Sequence, residues 1–294
     1  MTLDDAYAAC EHIARQHYEN FPVASILLPA AMRPHIAAIY AFARAADDFA
    51  DEGNHTPAER SSLLDDWGQR LQASVAPRPM PLVPAREADA IFLALGNTIR
   101  SCSLPVGLFE DLLSAFRQDV GTKRYATWAE VMDYCRRSAN PVGRLVLGVA
   151  GHADARLDRA SDAVCTALQL TNFWQDLARD WQKGRLYVPR EECERFGARL
   201  EDLDARVMSP EWREALAEMT ARTRRLFEEG RAVCDGLGGR LRYELRLTWL
   251  GGMRILDRLE QSGFDVFTAR PTLGKSDVPA LLWSAVSWSR PRAA

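Results

Sequence analysis

The sequence lacks the features that mark disulfide-rich, membrane-spanning or nucleic-acid-binding proteins. Its six cysteines form no C-x-x-C pair and have no histidine at metal-ligand spacing, so we expect reduced thiols in a cytoplasmic protein. No apolar run reaches the ~20 residues that a bilayer requires. The N-terminus carries Asp4 and Asp5 where a signal peptide needs positive charge. A formal net charge of -3 gives no general attraction to nucleic acid, and we expect no such partner.

Helical periodicity is the main pattern that is present. Apolar residues recur at three- and four-residue spacing, as in Ile36, Ile39, Tyr40 and Ala43, whereas alternating β-branched runs are missing. Proline and glycine positions divide the chain into roughly ten helices. We see no repeat of fixed period. The pattern predicts an all-α protein with a single domain over residues 1–294.

The first acidic cluster ends a predicted helix in the segment Ala38–Glu52. Acids at this end oppose the helix macrodipole and repel one another at i,i+4 spacing, each by a few tenths to roughly 1 kcal/mol. At about 100° per residue, Tyr40, Arg44, Asp47 and Asp51 share one narrow sector of the helix. A bound partner that offsets the repulsion is therefore expected.

A second helix repeats the pattern, because Asn172, Asp176 and Asp180 share a face shortly before Gly184. An acidic helix face that is exposed to solvent and binds nothing is an adequate explanation for one such cluster, but a poorer one for two. Hard oxygen ligands without histidine or cysteine suit Mg²⁺ held by a few carboxylates and substrate phosphates. An EF-hand is excluded, since Glu52 stands where its loop requires glycine. The predicted metal ligands are Asp47, Asp51, Asp176 and Asp180, facing each other across a cavity.

Such a site favours departure of a diphosphate from carbon. Metal ions and fixed cations stabilise the charge that develops on the leaving group, and Arg44 and Arg185 are the nearest cations in the sequence. The carbocation left behind needs an apolar pocket, and the aromatic residues beside both clusters could line one. We therefore predict that Mg²⁺ with diphosphate makes both acidic clusters tolerable.

Three ordered signatures resemble the squalene/phytoene synthase family, from about His12 to about Lys275. The first is Tyr40-x-x-x-Arg44-x-x-Asp47-Asp48-x-x-Asp51-Glu52. The second runs from Leu168 to Asn172, continues with Asp176-x-x-x-Asp180, and ends in Gly184-Arg185-x-Tyr187-x-Pro189. The third is Tyr134-Cys135-x-x-x-Ala139-x-x-Val142-Gly143, which resembles a family helix that breaks over the active site.

The resemblance implies an α-helical isoprenoid synthase fold with a central cavity. It also implies that the two aspartate pairs bind Mg²⁺ and the diphosphate of a prenyl substrate. The residues expected around them, catalytic or diphosphate-binding, are His17, Asn20, Tyr40, Arg44, Tyr134, Asn140, Asn172, Arg185 and Arg270.

Within the family, the sequence resembles the branch from hopanoid-producing bacteria. That likeness rests on His17–Val23, Ser138–Gly143 and Asn172–Asp176. It implies ionisation of presqualene diphosphate and capture of the cation by water, which gives hydroxysqualene without NADPH. The implied pathway partners are a presqualene diphosphate synthase and a hydroxysqualene reductase. Because the product is a C30 alcohol, peripheral contact with the inner membrane face is expected.

Three places depart from the family pattern. Gln175 stands where relatives commonly carry arginine, and Asn20 stands where serine is usual. Asn140 and Pro141 replace a small, often glycine-containing pair. Because proline removes an N–H and breaks a helix, we hypothesise that this break and Tyr134 position the captured water. An unchanged product ratio in Asn140→Ala would contradict the hypothesis.

Two alternatives stay open at this point. The same fold could join two farnesyl diphosphates head to head, giving presqualene diphosphate or squalene. A protein of another class, a non-catalytic helical protein, could use the acids for a structural metal. Products formed from each substrate, and turnover after Asp47→Asn and Asp176→Asn, distinguish these readings.

Overall fold

The computed structural model describes residues 1–16, 27–76 and 87–288. These residues form fourteen α-helices, one 3₁₀ turn at Lys275–Asp277 and no strand, so the predicted all-α fold is confirmed. The helices are α1 (Leu3–Gln16), α2 (Arg33–Asp51), α3 (Pro57–Val75), α4 (Glu87–Ser101), α5 (Val106–Gly121), α6 (Trp128–Ser138), α7 (Asn140–Val149), α8 (Ala155–Gln182), α9 (Arg190–Phe196), α10 (Leu200–Asp204), α11 (Pro210–Gly230), α12 (Ala232–Gly236), α13 (Gly239–Gln261) and α14 (Val278–Ser287). The number exceeds the ten predicted because short helices follow α8 and α11.

The chain divides into two compact units, each drawn from two stretches of sequence. Unit 1 comprises Met1–Thr122 with Pro141–Asp158, and unit 2 comprises Lys123–Asn140 with Arg159–Ala294. The first acidic cluster lies in unit 1 and the second in unit 2. The single domain over residues 1–294 stays a prediction.

Local signals in the sequence set several helix boundaries. At the start of α3, Thr56 Oγ1 accepts a hydrogen bond from the Glu59 amide, and the Glu59 carboxylate accepts one from the Thr56 amide. This reciprocal cap satisfies two amides that lack partners within the helix. Gly53 and Gly184 follow the ends of α2 and α8 with φ of 73° and 76°. Glycine adopts this left-handed conformation without the penalty of a Cβ atom.

The core of unit 1 holds α2 in place. Phe42 of α2 is fully buried and contacts the rings of Trp67, Phe92 and Phe109, with centroids 5.5 to 6.1 Å apart. Trp67 Nε1 donates a hydrogen bond to the Phe42 carbonyl at 3.2 Å. Aromatic packing of this kind contributes beyond the apolar area that it buries. The face of α2 that carries Phe42 is therefore fixed, which leaves its acidic end toward solvent.

The core of unit 2 holds α8 against α11. Trp174 of α8 is fully buried, and its Nε1 donates to Thr223 Oγ1 of α11 at 2.9 Å. The two helices approach closely at Gly230, where a Cβ atom would lie 2.6 Å from the Ala160 carbonyl oxygen. Because a side chain does not fit there, glycine is required for this packing.

The state of the cysteines and the apolar character of the helices bear on two predictions from the sequence. All six cysteines are free, and Cys10, Cys135, Cys193 and Cys234 are buried, as expected for reduced core thiols. Burial raises the pKa of Cys193 to about 11, so this thiol stays protonated at neutral pH. Within the described ranges, no helix combines the length and apolar character that crossing a bilayer requires.

Candidate active site

The first acidic cluster is gathered around one arginine at the end of α2. Arg44 Nη1 lies 3.4 Å from Asp47 Oδ2, and its Nη2 lies 2.6 Å from Asp48 Oδ1 and 2.8 Å from Glu52 Oε1. Arg44 is predicted to share a helix face with Asp47, and neither Asp48 nor Glu52 is among its predicted partners. Asp48 lies four residues after Arg44, and this i,i+4 spacing is the signal that could have found it. Asp51 is half-buried one turn after Asp47.

A second arginine closes the end of α2. Arg60 of α3 donates to the carbonyls of Phe49, Glu52 and Gly53, each at 2.9 Å. These carbonyls form the negative end of the helix macrodipole, where a cation is favourable. The sequence pattern predicts Mg²⁺ and diphosphate as the partners that make the acids tolerable. Arg44 and Arg60 offset part of the repulsion, and the role of Mg²⁺ and diphosphate stays a prediction.

The titration of this cluster follows from burial and from its neighbours. Burial is the largest effect on Tyr40 and raises the pKa of its phenol, while Arg44 lowers it and Asp47 and Asp48 raise it. The phenol therefore stays protonated at neutral pH and can donate a hydrogen bond. Burial by itself lowers the pKa of Arg44, but Asp48, Asp47 and Glu52 together outweigh burial and raise it.

The second cluster is centred on Asp176 in the second half of α8. Asn172 Nδ2 donates to Asp176 Oδ2 at 2.9 Å. Arg270 donates from Nε to Oδ1 at 2.5 Å and from Nη2 to Oδ2 at 3.0 Å, so one guanidinium spans both carboxylate oxygens. Arg179 Nη1 lies 3.7 Å from Oδ1. Arg270 thus lies beside this cluster with the aspartate as its partner, and its role in binding diphosphate stays a prediction.

Asp180 lies where α8 ends in a glycine turn. Its carbonyl accepts hydrogen bonds from the amides of Lys183 at 3.0 Å and Arg185 at 2.8 Å. Gly184 supplies the left-handed residue that this turn requires. The turn therefore fixes the backbone of Arg185 beside the last turn of α8.

An aromatic cluster joins the third signature to the second within unit 2. Tyr134 of α6 is buried, and its ring centroid lies 6.1 Å from Phe173 of α8 and 6.0 Å from Tyr187. Phe173 and Tyr187 stack at 3.7 Å, and Tyr125 lies 5.7 Å from Tyr134. Phe173 precedes Asp176 by three residues and so lies one turn from it on α8. Phe173 thus connects the buried aromatic cluster to the part of α8 that carries Asp176.

The predicted helix break is present. Helix α6 ends at Ser138, Ala139 forms its C-cap, and α7 begins at Asn140 with Pro141 in its first turn. Asn140 is buried, and its Oδ1 accepts a hydrogen bond from Thr166 Oγ1 of α8 at 2.9 Å. Proline is tolerated here because the first amides of a helix have no partner within it.

A pocket of about 570 Å³ also lies in unit 2. Its walls come from residues 124–126, from Leu186 and Val188, and from parts of α9 and the residues that follow it up to Leu200. None of the predicted site residues within the described ranges lines it. This pocket is therefore a different feature from the predicted cavity.

The carboxylates fit a hard divalent cation that is completed by other ligands. In the part of the chain that the structure describes, no three histidine, cysteine, aspartate or glutamate side chains form a metal-binding group. Mg²⁺ is usually held by one or two carboxylates, with water and substrate phosphates completing its shell. The candidate ligands Asp47, Asp51, Asp176 and Asp180 offer oxygen atoms alone, which is the donor type that Mg²⁺ prefers.

Comparison with known proteins decides the family. The family model described as squalene/phytoene synthase matches residues 14–277. The chain belongs to the squalene/phytoene synthase family. It is thus an enzyme of isoprenoid biosynthesis in a family that uses prenyl diphosphates and generally a divalent metal.

Three relatives illustrate the range within this family. A hydroxysqualene synthase from Zymomonas mobilis is 40% identical, over 71% of this chain and 68% of the relative. A 15-cis-phytoene synthase from Synechocystis is 31% identical, over 98% of this chain and 86% of the relative. The crystal structure of squalene synthase HpnC from Alicyclobacillus acidocaldarius is 40% identical, with a TM-score of 0.82 over 89% of this chain and 95% of that one. The isoprenoid synthase fold is thereby confirmed.

The structure places most of the predicted site residues in two groups. Tyr40, Arg44, Asp47 and Asp51 lie together on α2, and Asn172, Asp176 and Arg270 lie together in unit 2. His17 and Asn20 lie outside the described residues. The roles of all these residues stay predictions. Sequence reasoning missed Arg60 and the contact of Gln175 with the Pro271 carbonyl, because both join residues from separate elements.

Proposed function

We propose that this family member converts presqualene diphosphate and water to hydroxysqualene and diphosphate, with Mg²⁺ and without NADPH. The observation that carries the proposal is the 40% identity to a hydroxysqualene synthase and to the bacterial squalene synthase HpnC. The phytoene synthase from Synechocystis is less similar, at 31%. The variant residues at Asn140, Pro141 and Gln175 support the same branch.

The charged residues would bind and stabilise the diphosphate leaving group. Asp47, Asp51, Asp176 and Asp180 would hold Mg²⁺, which when bound neutralises charge developing on the diphosphate. Arg44, Arg185 and Arg270 would contact diphosphate oxygens, since a guanidinium donates two parallel hydrogen bonds to such groups. The carbon–oxygen bond breaks, and its electron pair leaves with the diphosphate.

The aromatic cluster would stabilise the carbon skeleton that remains. Tyr134, Phe173 and Tyr187 form one buried aromatic cluster, and Phe173 lies one helical turn before Asp176; aromatic rings attract a cation when water is excluded. The cyclopropylcarbinyl cation rearranges and opens, and water then adds to it and loses a proton. We assign Tyr40 and Tyr134 as catalytic residues whose phenols donate hydrogen bonds.

Asn140 is assigned to hold the attacking water. Its Oδ1 already accepts a hydrogen bond from Thr166, which fixes the orientation of the amide at the break between α6 and α7. A fixed amide orients a water molecule more effectively than a mobile one. If Asn140→Ala gave the same hydroxysqualene yield and product ratio as the wild type, this role would be wrong.

Purified protein incubated with each substrate tests the proposed reaction. With Mg²⁺ and presqualene diphosphate alone, we expect hydroxysqualene and diphosphate, detected by mass spectrometry and by diphosphate release. Adding NADPH should leave the product unchanged. The proposal fails if presqualene diphosphate is not consumed, or if squalene forms only when NADPH is present.

A head-to-head condensation is the second candidate. It is favoured by the alignment with a phytoene synthase over 98% of this chain, which is longer than the alignment with the hydroxysqualene synthase. Any C30 product from farnesyl diphosphate alone would support condensation. A non-catalytic metal-binding role would be supported if neither substrate were consumed and Mg²⁺ still stabilised the fold.

Two expectations accompany the proposed reaction. A presqualene diphosphate synthase must supply the substrate, and a hydroxysqualene reductase must consume the product if squalene is formed. Peripheral membrane contact is proposed because both substrate and product carry C30 apolar chains. Sedimentation with lipid vesicles measures that contact.

A further inference from the structure

Two adjacent residues of α8 hold two adjacent residues of the segment that follows α13. Gln175 Nε2 donates to the carbonyl of Pro271. Asp176 accepts both hydrogen bonds from Arg270. The backbone anchor at Pro271 is thus one residue away from the guanidinium. A cation on a short, fixed tether reaches a much smaller volume than one on a free loop.

The remainder of this segment is also tied down. Asp265 accepts hydrogen bonds from the Thr268 hydroxyl at 2.8 Å and from the amides of Phe267 and Thr268 at 3.2 Å. Beyond Pro271, Arg258 of α13 donates to the Thr272 carbonyl. These contacts fix the segment to itself and to α13. The bond from Gln175 fixes it to α8, where the predicted metal ligand lies.

Arg270 occupies both oxygens of a carboxylate that the proposed function assigns to Mg²⁺. A cation that enters there competes with the guanidinium for the same oxygens. A diphosphate offers the released guanidinium an anion of matching two-oxygen geometry. With the backbone held at Pro271, such a change of partner would be a rotation of the Arg270 side chain.

We propose that Gln175 is a positioning residue that holds Pro271, so that Arg270 can exchange Asp176 for the diphosphate of the substrate. The proposal rests on the proposed function in one respect, namely that the incoming anion is a diphosphate. An amide suits this task, because it donates to a carbonyl without adding charge beside Asp176. Arginine at this position would also donate, but it would place a further cation next to the carboxylate.

Hydrogen exchange of the ligand-free protein tests the anchor. Gln175→Met keeps the length of the side chain and its helix preference but removes the donor. We expect amides in residues 266–274 to exchange about five-fold faster, as the loss of one hydrogen bond predicts. The control Gln182→Met changes an exposed glutamine at the end of α8 and should leave these amides unchanged. Equal exchange in Gln175→Met and wild type would overturn the proposal.

Gln175→Arg separates loss of the hydrogen-bond donor from loss of the packing of glutamine, because arginine keeps a donor at this position. If a donor at this position is what holds Pro271, Gln175→Arg should exchange like the wild type over residues 266–274. Exchange as fast as that of Gln175→Met would instead show that the donor is irrelevant, and the proposal would be wrong.

Calorimetric titration with inorganic diphosphate in Mg²⁺ tests the second half of the proposal. Gln175→Met should bind diphosphate about five-fold more weakly than wild type and Gln182→Met. If Gln175→Met bound diphosphate as tightly as the wild type, the positioning role of Gln175 would be wrong. Wild-type protein that binds diphosphate but turns over neither prenyl substrate would contradict the proposed function and leave the positioning role intact. Wild-type protein that binds no diphosphate would overturn the exchange at Arg270.

Discussion

The two acidic clusters look alike in the sequence but are neutralised in different ways. In unit 1, Arg44 belongs to the same helix as Asp47 and Asp48, its third partner Glu52 is the C-cap of that helix, and Arg60 comes from the next helix. In unit 2, Arg270 lies 94 residues from Asp176. The first cluster is therefore assembled largely by helix formation, whereas the second also requires the tertiary placement of a distant segment.

The balance of charge differs as well. At the end of α2, Arg44 contacts three carboxylates, and Arg60 donates to the carbonyls of the last turn. Asp176 alone is contacted by Arg179 and Arg270. One arginine thus contacts three carboxylates in unit 1, whereas two arginines contact one carboxylate in unit 2.

Replacing one aspartate in each cluster should have the largest effect. We expect Asp47→Asn and Asp176→Asn each to lower kcat/KM for presqualene diphosphate by at least about 100-fold, because each removes charge stabilisation of the leaving group. If both clusters act on one diphosphate, the double variant should lose much less than the product of the two single losses.

Asp66→Asn is the matched control, since Asp66 is exposed and pairs only within its helix with Arg70 at 2.7 Å among the contacts described. It should retain turnover within about two-fold. If both Asp47→Asn and Asp176→Asn kept their turnover, a catalytic role for the two clusters would be wrong. Strictly multiplicative losses would contradict a shared diphosphate.

Much of the first cluster could be predicted from sequence, and less of the second. The i,i+4 spacing of Asp47 and Asp51, and the helix end at Gly53, follow from helix geometry alone. The break before Asn140 follows from Pro141. These features depend on residues that are close in the chain, so periodicity reports them.

The contacts that complete the second cluster could not be predicted from periodicity. Gln175 and Pro271 are 96 residues apart, and no local pattern links a glutamine to a distant carbonyl. Resemblance to the family indicated that Arg270 belongs near the phosphates, but not that Asp176 is its partner. Arg60 was missed for a similar reason, since it caps α2 from a different helix.

A lone buried acid in unit 2 contrasts with both clusters. Glu244 of α13 is 7% exposed, and its Oε2 has no hydrogen-bond partner among the described residues. Burial raises its pKa to about 7. Between the ordinary glutamate pKa and this value, the folded state binds more protons than the unfolded state, so stability falls as pH rises and levels off above about 7.

Glu244→Gln should therefore remove part of the pH dependence of folding. We expect the wild type to lose roughly 1–3 kcal/mol of unfolding free energy between about pH 5 and pH 8 relative to Glu244→Gln. Urea unfolding at both pH values measures the difference. Glu229→Gln, an exposed change on α11, should behave as the wild type. If the unfolding free energies of the wild type and Glu244→Gln changed in parallel with pH, Glu244 would not be the source of the pH dependence.

The ends of α2 and α8 offer the finest comparison, because a glycine with positive φ follows both helices and Arg60 also binds the carbonyls at the end of α2. Arg60→Met should lower the unfolding free energy by about 1–2 kcal/mol, through lost hydrogen bonds to three carbonyls and a lost cation beside the acids. Gly184→Ala should cost about 1 kcal/mol, because alanine is strained at the positive φ of this turn.

Ionic strength distinguishes the two causes. Between about 0.01 M and about 1 M salt the Debye length falls from about 30 Å to about 3 Å, so the electrostatic part of the Arg60→Met effect should shrink. The Gly184→Ala effect is steric and should stay constant. Urea unfolding of both variants at both salt concentrations makes the measurement. An Arg60→Met effect that does not change with salt would mean that the hydrogen bonds of Arg60, and not its charge, stabilise the end of α2.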